Sequence, residues 1–169
     1  MEDMPFSEMP PEEGLWDCGG LLSPYMPSLE DNTLKALQQA NLSQEDTLID
    51  LGCGDGTVLF KAVELGCKKA IGVELNSELA TKAQEKAQTL GLSEKLEVII
   101  GNFLSVGTKE ADIVYVYLLP EALKVLKSML WDSVSRGCTR VVISAVFKIP
   151  DWEGTEEASD LLGYYFYSL

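Results

Sequence analysis

From Thr47 onward, short apolar runs alternate with longer stretches in which apolar residues recur every three or four positions. The short runs predict β-strands and the longer stretches predict amphipathic helices. The predicted strands are TLID, KKAIGVEL, KLEVIIGN, ADIVYVYL, TRVVISAVF and a terminal LLGYYFYSL. The predicted helices are residues 29–41, TVLFKAVELG, ELATKAQEKAQTLG and PEALKVLKSMLWDSV. This alternation predicts an α/β fold with a mostly parallel sheet, closed at one edge by the terminal strand.

Several residues are predicted to begin or end these helices. Ser28 and Asp31 resemble a capping box for the first helix, and Gly66 is placed to end the second. Asn76 or Ser77 is predicted to cap the third helix, and Pro120 to open the fourth. The face of the third helix that is expected to pack on the sheet consists of Leu79, Ala83, Ala87 and Leu90.

The first 22 residues combine proline and glycine with acidic residues, which predicts a flexible acidic arm that is extended or disordered. Residues 23–169 then form a single domain, a size typical of one compact unit. No apolar run approaches the roughly 20 residues that span a bilayer, so no membrane span is expected. The N-terminus carries acids where a secretory or mitochondrial leader carries Lys or Arg, which predicts a cytoplasmic protein.

The net charge of −14 is concentrated at the two ends of the chain. Residues 1–31 hold eight acids and no base, and residues 149–169 hold five acids and no base. Such ends repel nucleic-acid phosphates and attract a basic protein partner. That they only keep the protein in solution is the alternative. We therefore expect a basic protein substrate and no nucleic-acid partner.

The cysteine and histidine content excludes several kinds of chemistry. The four cysteines show no CxxC spacing, and the chain has no histidine. This excludes the usual zinc sites and any catalytic triad that uses histidine as its base. We expect no metal and assign the cysteines to packing.

The main chemical motif is Asp50-Leu-Gly52-Cys-Gly54-Asp-Gly56, which lies between a predicted strand and a predicted helix. Glycines at these positions let the backbone turn sharply and approach a ligand closely. Glu74 ends the next strand, where an acid can accept both ribose hydroxyls of an adenosine-type cofactor. Together the strand, turn, helix and distal acid predict a cofactor site.

The spacing of the glycines and the charge of the turn favour one cofactor over others. Dinucleotide enzymes use GxGxxG and place a pyrophosphate at the helix N-terminus, whereas this turn is GxGxG. Asp50 and Asp55 would repel a pyrophosphate but suit the ammonium and sulfonium of S-adenosylmethionine, which becomes S-adenosylhomocysteine. Ligands of open α/β sheets lie at the carboxyl ends of the strands, so Tyr117 and Leu118 are predicted to reach the methyl-transfer zone.

These motifs resemble those of the class I, seven-strand methyltransferases, which implies a Rossmann-like doubly wound fold with an antiparallel C-terminal edge strand. Residues 23–152 are more narrowly similar to the small protein-lysine methyltransferases, on the segments SPYMPS, DLGCGDG, GVELN, GNF, YLL and TRVVIS. That group includes broad-specificity archaeal enzymes. It also includes mitochondrial enzymes that modify ATP synthase subunit c and the adenine nucleotide translocator.

The resemblance implies a role for each matching residue. Asp50, Gly52, Gly54 and Gly56 hold the methionyl part of the cofactor, Glu74 holds the ribose, and Asn76 supports that end. Asn102 and Phe103 correspond to the position that meets the adenine, with Asn102 standing where Asp is commoner. An amide can both donate to and accept from adenine. That Asn102 is only a turn residue at the end of the strand is the alternative.

The acceptor side is predicted from fewer residues. In the resembling enzymes the SPYMPS segment folds over the cofactor, which implies that Tyr25 lines the acceptor pocket. That Tyr25 only holds the arm on the core is the alternative. Trp152 and Phe147 are expected to form another wall, with edge packing as their alternative, and the acidic DWEGTEE to lie near the mouth. The short tail after Trp152 argues against the final antiparallel hairpin of the family.

The sequence therefore predicts a monomeric enzyme that methylates the side-chain amine of lysine in proteins. Two alternatives remain open: a methyltransferase for a small-molecule amine, and a non-catalytic cofactor-binding partner protein. A nucleic-acid acceptor is disfavoured because Tyr117-Leu118-Leu119-Pro120 replaces the Asp or Asn followed by Pro-Pro and an aromatic residue that amino-methylating nucleic-acid enzymes carry.

Overall fold

A computed structural model of the chain describes residues 28–159 and 163–169. Within these residues, one sheet of seven strands has the order β3-β2-β1-β4-β5-β7-β6. The strands are β1 Thr47–Leu51, β2 Lys69–Glu74, β3 Leu96–Ile100, β4 Ile113–Val116, β5 Val141–Ala145, β6 Thr155–Ala158 and β7 Tyr164–Ser168. The helices are α1 Glu30–Gln39, α2 Thr57–Glu64, α3 Ser77–Thr89, α4 Phe103–Val106 and α5 Pro120–Ser135.

Strands β1 to β5 are parallel, which confirms the predicted α/β fold. β7 runs antiparallel to both β5 and β6. The terminal strand was predicted at the edge, but β7 lies one place inside it and β6 is the edge strand. The final hairpin that the short tail argued against is therefore present. The sequence of β6 is TEEA, all four residues are exposed, and no apolar alternation marks it as a strand.

Helices cover both faces of the sheet. One face of the sheet, here called the α1 face, packs against α1, α2 and α3, and the core on that side includes Leu48, Ile113 and Ile143. The α5 face packs against α4 and α5, and its core includes Val114 and Val142. Burial on both faces explains why the central strands are mostly apolar instead of alternating with polar residues.

The far end of the α5 face, over β5 and β7, is covered by residues 146–154 rather than by a long helix. Trp152 makes an edge-to-face contact with Trp131, with ring centroids 5.2 Å apart, and lies 5.3 Å from Tyr167. Its Nε1 donates to the carbonyl oxygen of Ser168 at 3.0 Å. Because Ser168 follows the partner of Val142 near the start of β5, the segment runs back toward the amino ends of the strands.

Some predicted helix details are confirmed and others are wrong. Asn76 caps α3, because its Oδ1 accepts from the backbone N–H groups of Glu78 and Leu79. Ser28 does not cap α1. The N-cap position is Leu29, and the Ser28 hydroxyl lies 3.5 Å from the hydroxyl of Tyr115. On α3, Leu90 is 56% exposed, and the residues buried against the sheet are Ala80, Ala83 and Ala87.

Arg140, just before β5, holds the end of α1 against the sheet. Its guanidinium donates to the carbonyl oxygen of Ala40 at 2.7 Å and to Asp46 Oδ2 at 2.9 Å. We expect Arg140→Ala to lower the free energy of unfolding by about 1–2 kcal/mol, because hydrogen bonds to charged groups contribute more than neutral ones. Urea denaturation measures this loss.

Arg136 supplies the matched control, since its ion pairs with Asp132 and Glu110 lie between side chains that are more than half exposed. Arg136→Ala should leave the urea midpoint almost unchanged, because exposed ion pairs contribute little to stability. Equal losses for the two arginines would contradict the structural role of Arg140.

Candidate active site

The turn between β1 and α2 has the backbone conformation that its glycines were predicted to supply. Gly52, Gly54 and Gly56 have φ of +99°, +54° and +83°, in the left-handed region that other residues rarely adopt. The N–H groups of Gly52 and Cys53 both donate to the carbonyl oxygen of Val73, at 2.8 and 3.0 Å. The turn is therefore tied to the end of β2, and it exposes little side chain to a ligand.

Glu74 is the last residue of β2, and its carboxylate meets the turn directly. Oε2 accepts from the backbone N–H of Gly54 at 2.8 Å, and Oε1 accepts from the N–H of Asn76 at 2.8 Å. Two adjacent loops at the carboxyl edge of the sheet are thus joined through one side chain.

Asp50 lies beneath this turn on β1 and is almost completely buried. Burial raises its pKa well above the ordinary value, and the negative charges of Glu74 and Asp55 raise it further. Asp55 accepts from the backbone N–H and the hydroxyl of Thr57 at the start of α2. The three carboxyl groups form an acidic cluster that a cationic ligand would stabilise.

Cys53, within the same turn, is buried against β2. Burial and the neighbouring charge of Asp50 raise the pKa of its thiol, so the group stays neutral. Cys67 is also buried, and burial raises its pKa to about 11. These two thiols pack as small apolar groups.

Asn102 and Phe103 follow β3 at the same edge of the sheet. Asn102 Oδ1 accepts from the backbone N–H of Leu104 at 2.9 Å and caps the short helix α4, a contact that does not use its amide nitrogen. Phe103 is buried in the core of the α5 face. Asn76, by contrast, is exposed beside Glu74.

Tyr117 and Leu118 follow β4, as predicted, and point to opposite faces. Leu118 is buried on the α5 face, and its Cδ2 lies 3.4 Å from where a Cβ on Gly52 would be. Tyr117 is half-buried and packs against the core of the α1 face. Both residues thus flank the glycine turn at the carboxyl end of the central strands.

Tyr115 is a residue beside the site that the sequence did not single out. It is paired with Asp50 in the register of β1 and β4, and it is almost completely buried on the α1 face. Burial raises the pKa of its phenol, and Tyr164, whose ring centroid is 6.5 Å away, raises it further. Alternation along β4 places Tyr115 on the same face as Tyr117, a signal that was available in the sequence.

The predicted acceptor walls are only partly brought to this edge. Phe147 follows β5 and is half-buried on the α5 face, but Trp152 lies near the opposite ends of the strands, so its predicted role at the site is wrong. The acidic segment DWEGTEE also starts near the amino ends of the parallel strands, because β6 begins opposite Ser168. It was predicted near the mouth of the site, but the chain has to run from the carboxyl end of β5 back to the amino end before β6 can pair with β7. Tyr25 lies outside the described residues.

Beside Phe147, Val146 has φ +70°, an uncommon backbone conformation for a β-branched residue, and its N–H contacts the carbonyl oxygen of Gly163.

In residues 28–159 and 163–169, no group of three or more His, Cys, Asp or Glu side chains is arranged to hold a metal. None of the helices formed by those residues is long and apolar enough to cross a membrane.

Comparisons with known proteins agree with this geometry. The ANTKMT methyltransferase domain family matches residues 50–156, which include Asp50, the glycine turn and Glu74. The protein-lysine N-methyltransferase of Saccharolobus islandicus strain REY15A is 37% identical over 79% of this chain and 82% of its own length. A ribosomal protein L11 methyltransferase of Clostridium botulinum strain Eklund 17B is 31% identical over 62% of this chain, which spans 33% of that protein.

Among solved structures, an RNA methyltransferase from Salinibacter ruber in complex with S-adenosyl-L-homocysteine is similar, with a TM-score of 0.73 and 27% identity. The similarity covers 84% of this chain and 91% of that one. The acidic cluster beside the glycine turn fits a cofactor with an ammonium and a sulfonium. The fold and the site define a class I methyltransferase that uses S-adenosylmethionine. Within that class, the chain belongs to the ANTKMT methyltransferase domain family.

Proposed function

We propose that this enzyme methylates the side-chain amine of lysine residues in protein substrates. The observation that carries the proposal is the 37% identity to a protein-lysine N-methyltransferase, over four fifths of both chains. The proposal includes a basic protein substrate, a monomeric enzyme and a cytoplasmic location. It also includes an acidic arm over residues 1–22, followed by one catalytic domain over residues 23–169.

The residues at the carboxyl edge would divide the cofactor between them. Asp50 and the glycines of the turn would hold the methionyl part, since a buried carboxylate is stabilised by an ammonium. Glu74 would accept the ribose hydroxyls, with Asn76 beside it. The adenine would lie at the end of β3, beside Asn102 and Phe103. The cofactor would also contact Leu118 at the end of β4.

When bound, S-adenosylmethionine supplies a methyl group on a cationic sulfonium. The residues of the chain then have to align the acceptor amine and keep it neutral, because a protonated lysine has no lone pair to donate. Burying the ammonium near another cation lowers its pKa, so its proton can pass to water without a histidine base. Tyr117, at the end of β4, and Tyr25, outside the described residues, are the proposed acceptor-side residues.

RNA is the main competing acceptor, because the similar Salinibacter ruber protein is described as an RNA methyltransferase. The charge distribution argues against it. All 13 basic residues lie in residues 32–148, where 14 acids offset them, and both ends of the chain are acidic. Two further hypotheses compete with a protein acceptor: a small-molecule amine as acceptor, and a non-catalytic role as a cofactor-binding partner protein.

The proposal is tested by transfer of radiolabelled methyl from S-adenosylmethionine into a cell extract, with wild type and Glu74→Ala run in parallel. We expect label in a discrete protein band that resists ribonuclease, is lost in the variant and contains methyl-lysine by mass spectrometry. Label that ribonuclease removes would indicate RNA, and label confined to small molecules would indicate a metabolite. Cofactor binding without any transfer would indicate a non-catalytic protein.

Tyr117→Phe is expected to lower kcat by at least about tenfold, because the phenol hydroxyl is proposed to orient the acceptor amine. The Kd of this variant for S-adenosylhomocysteine should stay within about twofold of the wild-type value. A larger change in Kd would indicate that Tyr117 binds the cofactor instead of the acceptor. Methyl-transfer kinetics and calorimetric titration measure the two quantities. Tyr165→Phe, on β7 and the other face, is the matched control and should alter neither.

A further inference from the structure

The carboxylate of Glu74 contacts the middle of the glycine turn as well as the start of α3. Its two oxygens each accept from one backbone N–H, that of Gly54 and that of Asn76, both at 2.8 Å. Glu74 itself ends β2, so one side chain connects this strand with the glycine turn and with the start of α3.

Gly54 is the only one of the three turn glycines whose N–H has a side-chain acceptor in the described part of the chain. The N–H groups of Gly52 and Gly56 donate to backbone carbonyl oxygens, those of Val73 and Cys53. A glycine backbone has more conformational freedom than any other, so ordering it carries a larger loss of entropy. The bond from Gly54 to Glu74 therefore restricts the middle of the turn before a ligand arrives.

An ionised carboxylate has about four acceptor positions, two on each oxygen. The two backbone contacts occupy about half of them, and the remainder match the two hydroxyls of a ribose. We infer that Glu74 is a positioning residue for the methionyl half of the cofactor, because it fixes the turn at Gly54 while it binds the ribose. This inference rests on the proposed cofactor roles of Glu74 and the turn.

Two conservative variants separate this role from ribose binding. Glu74→Asp keeps the charge but is one methylene shorter, so it cannot hold both backbone contacts at their present lengths. Glu74→Gln keeps the length, but its amide NH₂ cannot accept from a backbone N–H. Both variants therefore lose the contact with Gly54 or the one with Asn76, and Glu74→Asp does so while it keeps the negative charge of the side chain.

The test compares the Kd of S-adenosylhomocysteine with that of 5′-methylthioadenosine, which lacks the amino-acid part. We expect Glu74→Asp to weaken 5′-methylthioadenosine by about fivefold and S-adenosylhomocysteine by about a further tenfold, the effect of one charge-assisted hydrogen bond. Asn102→Ala is the matched control at the adenine end. It should weaken the two ligands by the same factor.

Equal losses for the two ligands in Glu74→Asp would overturn the positioning role and leave ribose binding intact. No loss for either would overturn both the inference and the proposed role of Glu74. Amide hydrogen exchange in the free protein gives a second readout if the variants bind too weakly. Exchange at Gly54 should be at least about tenfold faster in Glu74→Ala, which removes both acceptor oxygens, than in wild type, and an unchanged rate would overturn the inference.

Discussion

Replacing Asp50 with asparagine is expected to stabilise the free protein and weaken its cofactor binding at the same time. The carboxylate is buried beside Glu74 and Asp55, so removing its charge relieves desolvation and repulsion in the unliganded state. We expect the Tm to rise by a few degrees, equivalent to about 1 kcal/mol. The Kd for S-adenosylhomocysteine should rise about tenfold to a hundredfold, because the ammonium loses its charged partner.

The effect of Asp50 on stability should also depend on pH. The pKa of Asp50 is raised in the folded state, so its contribution to stability is complete below the unfolded pKa and is lost as the pH rises through the folded pKa. The advantage of Asp50→Asn over wild type should therefore be larger at pH 8 than at pH 5. Differential scanning calorimetry across this range measures it.

A matched control for charge removal is Asp151→Asn, since Asp151 is exposed in the segment after β5. That variant should change neither the Tm nor the affinity. If Asp50→Asn lowered the Tm and left the affinity unchanged, Asp50 would be a structural residue with no part in cofactor binding.

Gly72→Ala is expected to destabilise the fold by at least about 2 kcal/mol, because the new methyl group has no space. A Cβ at this position would lie 2.5 Å from Cys53 Sγ and 2.6 Å from Leu59 Cδ1, in the middle of the sheet. Both neighbours are buried, and neither can move without disturbing the glycine turn or α2. Urea denaturation should show a lower midpoint with an unchanged slope.

Gly101→Ala is the control for this substitution. A Cβ there would lie 3.8 Å from Val106, an ordinary contact, and the variant should be neutral or slightly stabilised. Adding Cys53→Ala to Gly72→Ala removes the nearest atom and should recover part of the loss, which a double-mutant cycle would detect. Full additivity of the two substitutions would mean that the thiol is not the obstacle.

The parallel sheet and the glycine turn were predictable because local chemistry determines them. Gly52 and Gly54 stand where the backbone takes positive φ, and Asn76 caps α3 through its own side chain. Apolar runs in the sequence predicted strands β1 to β5, because a strand that is buried on both faces is mostly apolar. Apart from Trp152, the predicted site residues in the described part of the chain lie at the carboxyl ends of these strands, a property of the topology that requires only strand order.

The features that were missed depend on contacts between distant segments. β6 has no apolar pattern of its own and forms because β7 offers a free edge to Glu156 and Glu157. Trp152 was expected at the site because it follows β5 in sequence. The segment after β5 runs back toward the amino ends of the strands, however, and this carries Trp152 away from the site. Tyr115 reads as one more apolar core position until the register pairs it with Asp50.

The contact between Trp131 and Trp152 gives the protein an internal optical reporter of its C-terminal hairpin. Their indole rings lie nearly perpendicular, at 85°, and such a fixed, asymmetric arrangement gives the indoles a near-ultraviolet circular dichroism signal. Both rings lie on the α5 face away from the glycine turn. Loss of the indole bands at wavelengths beyond the adenine absorption would therefore follow detachment of residues 146–154 from the sheet. Cofactor binding at the glycine turn would leave those bands almost constant, so folding and ligand binding can be followed in one sample.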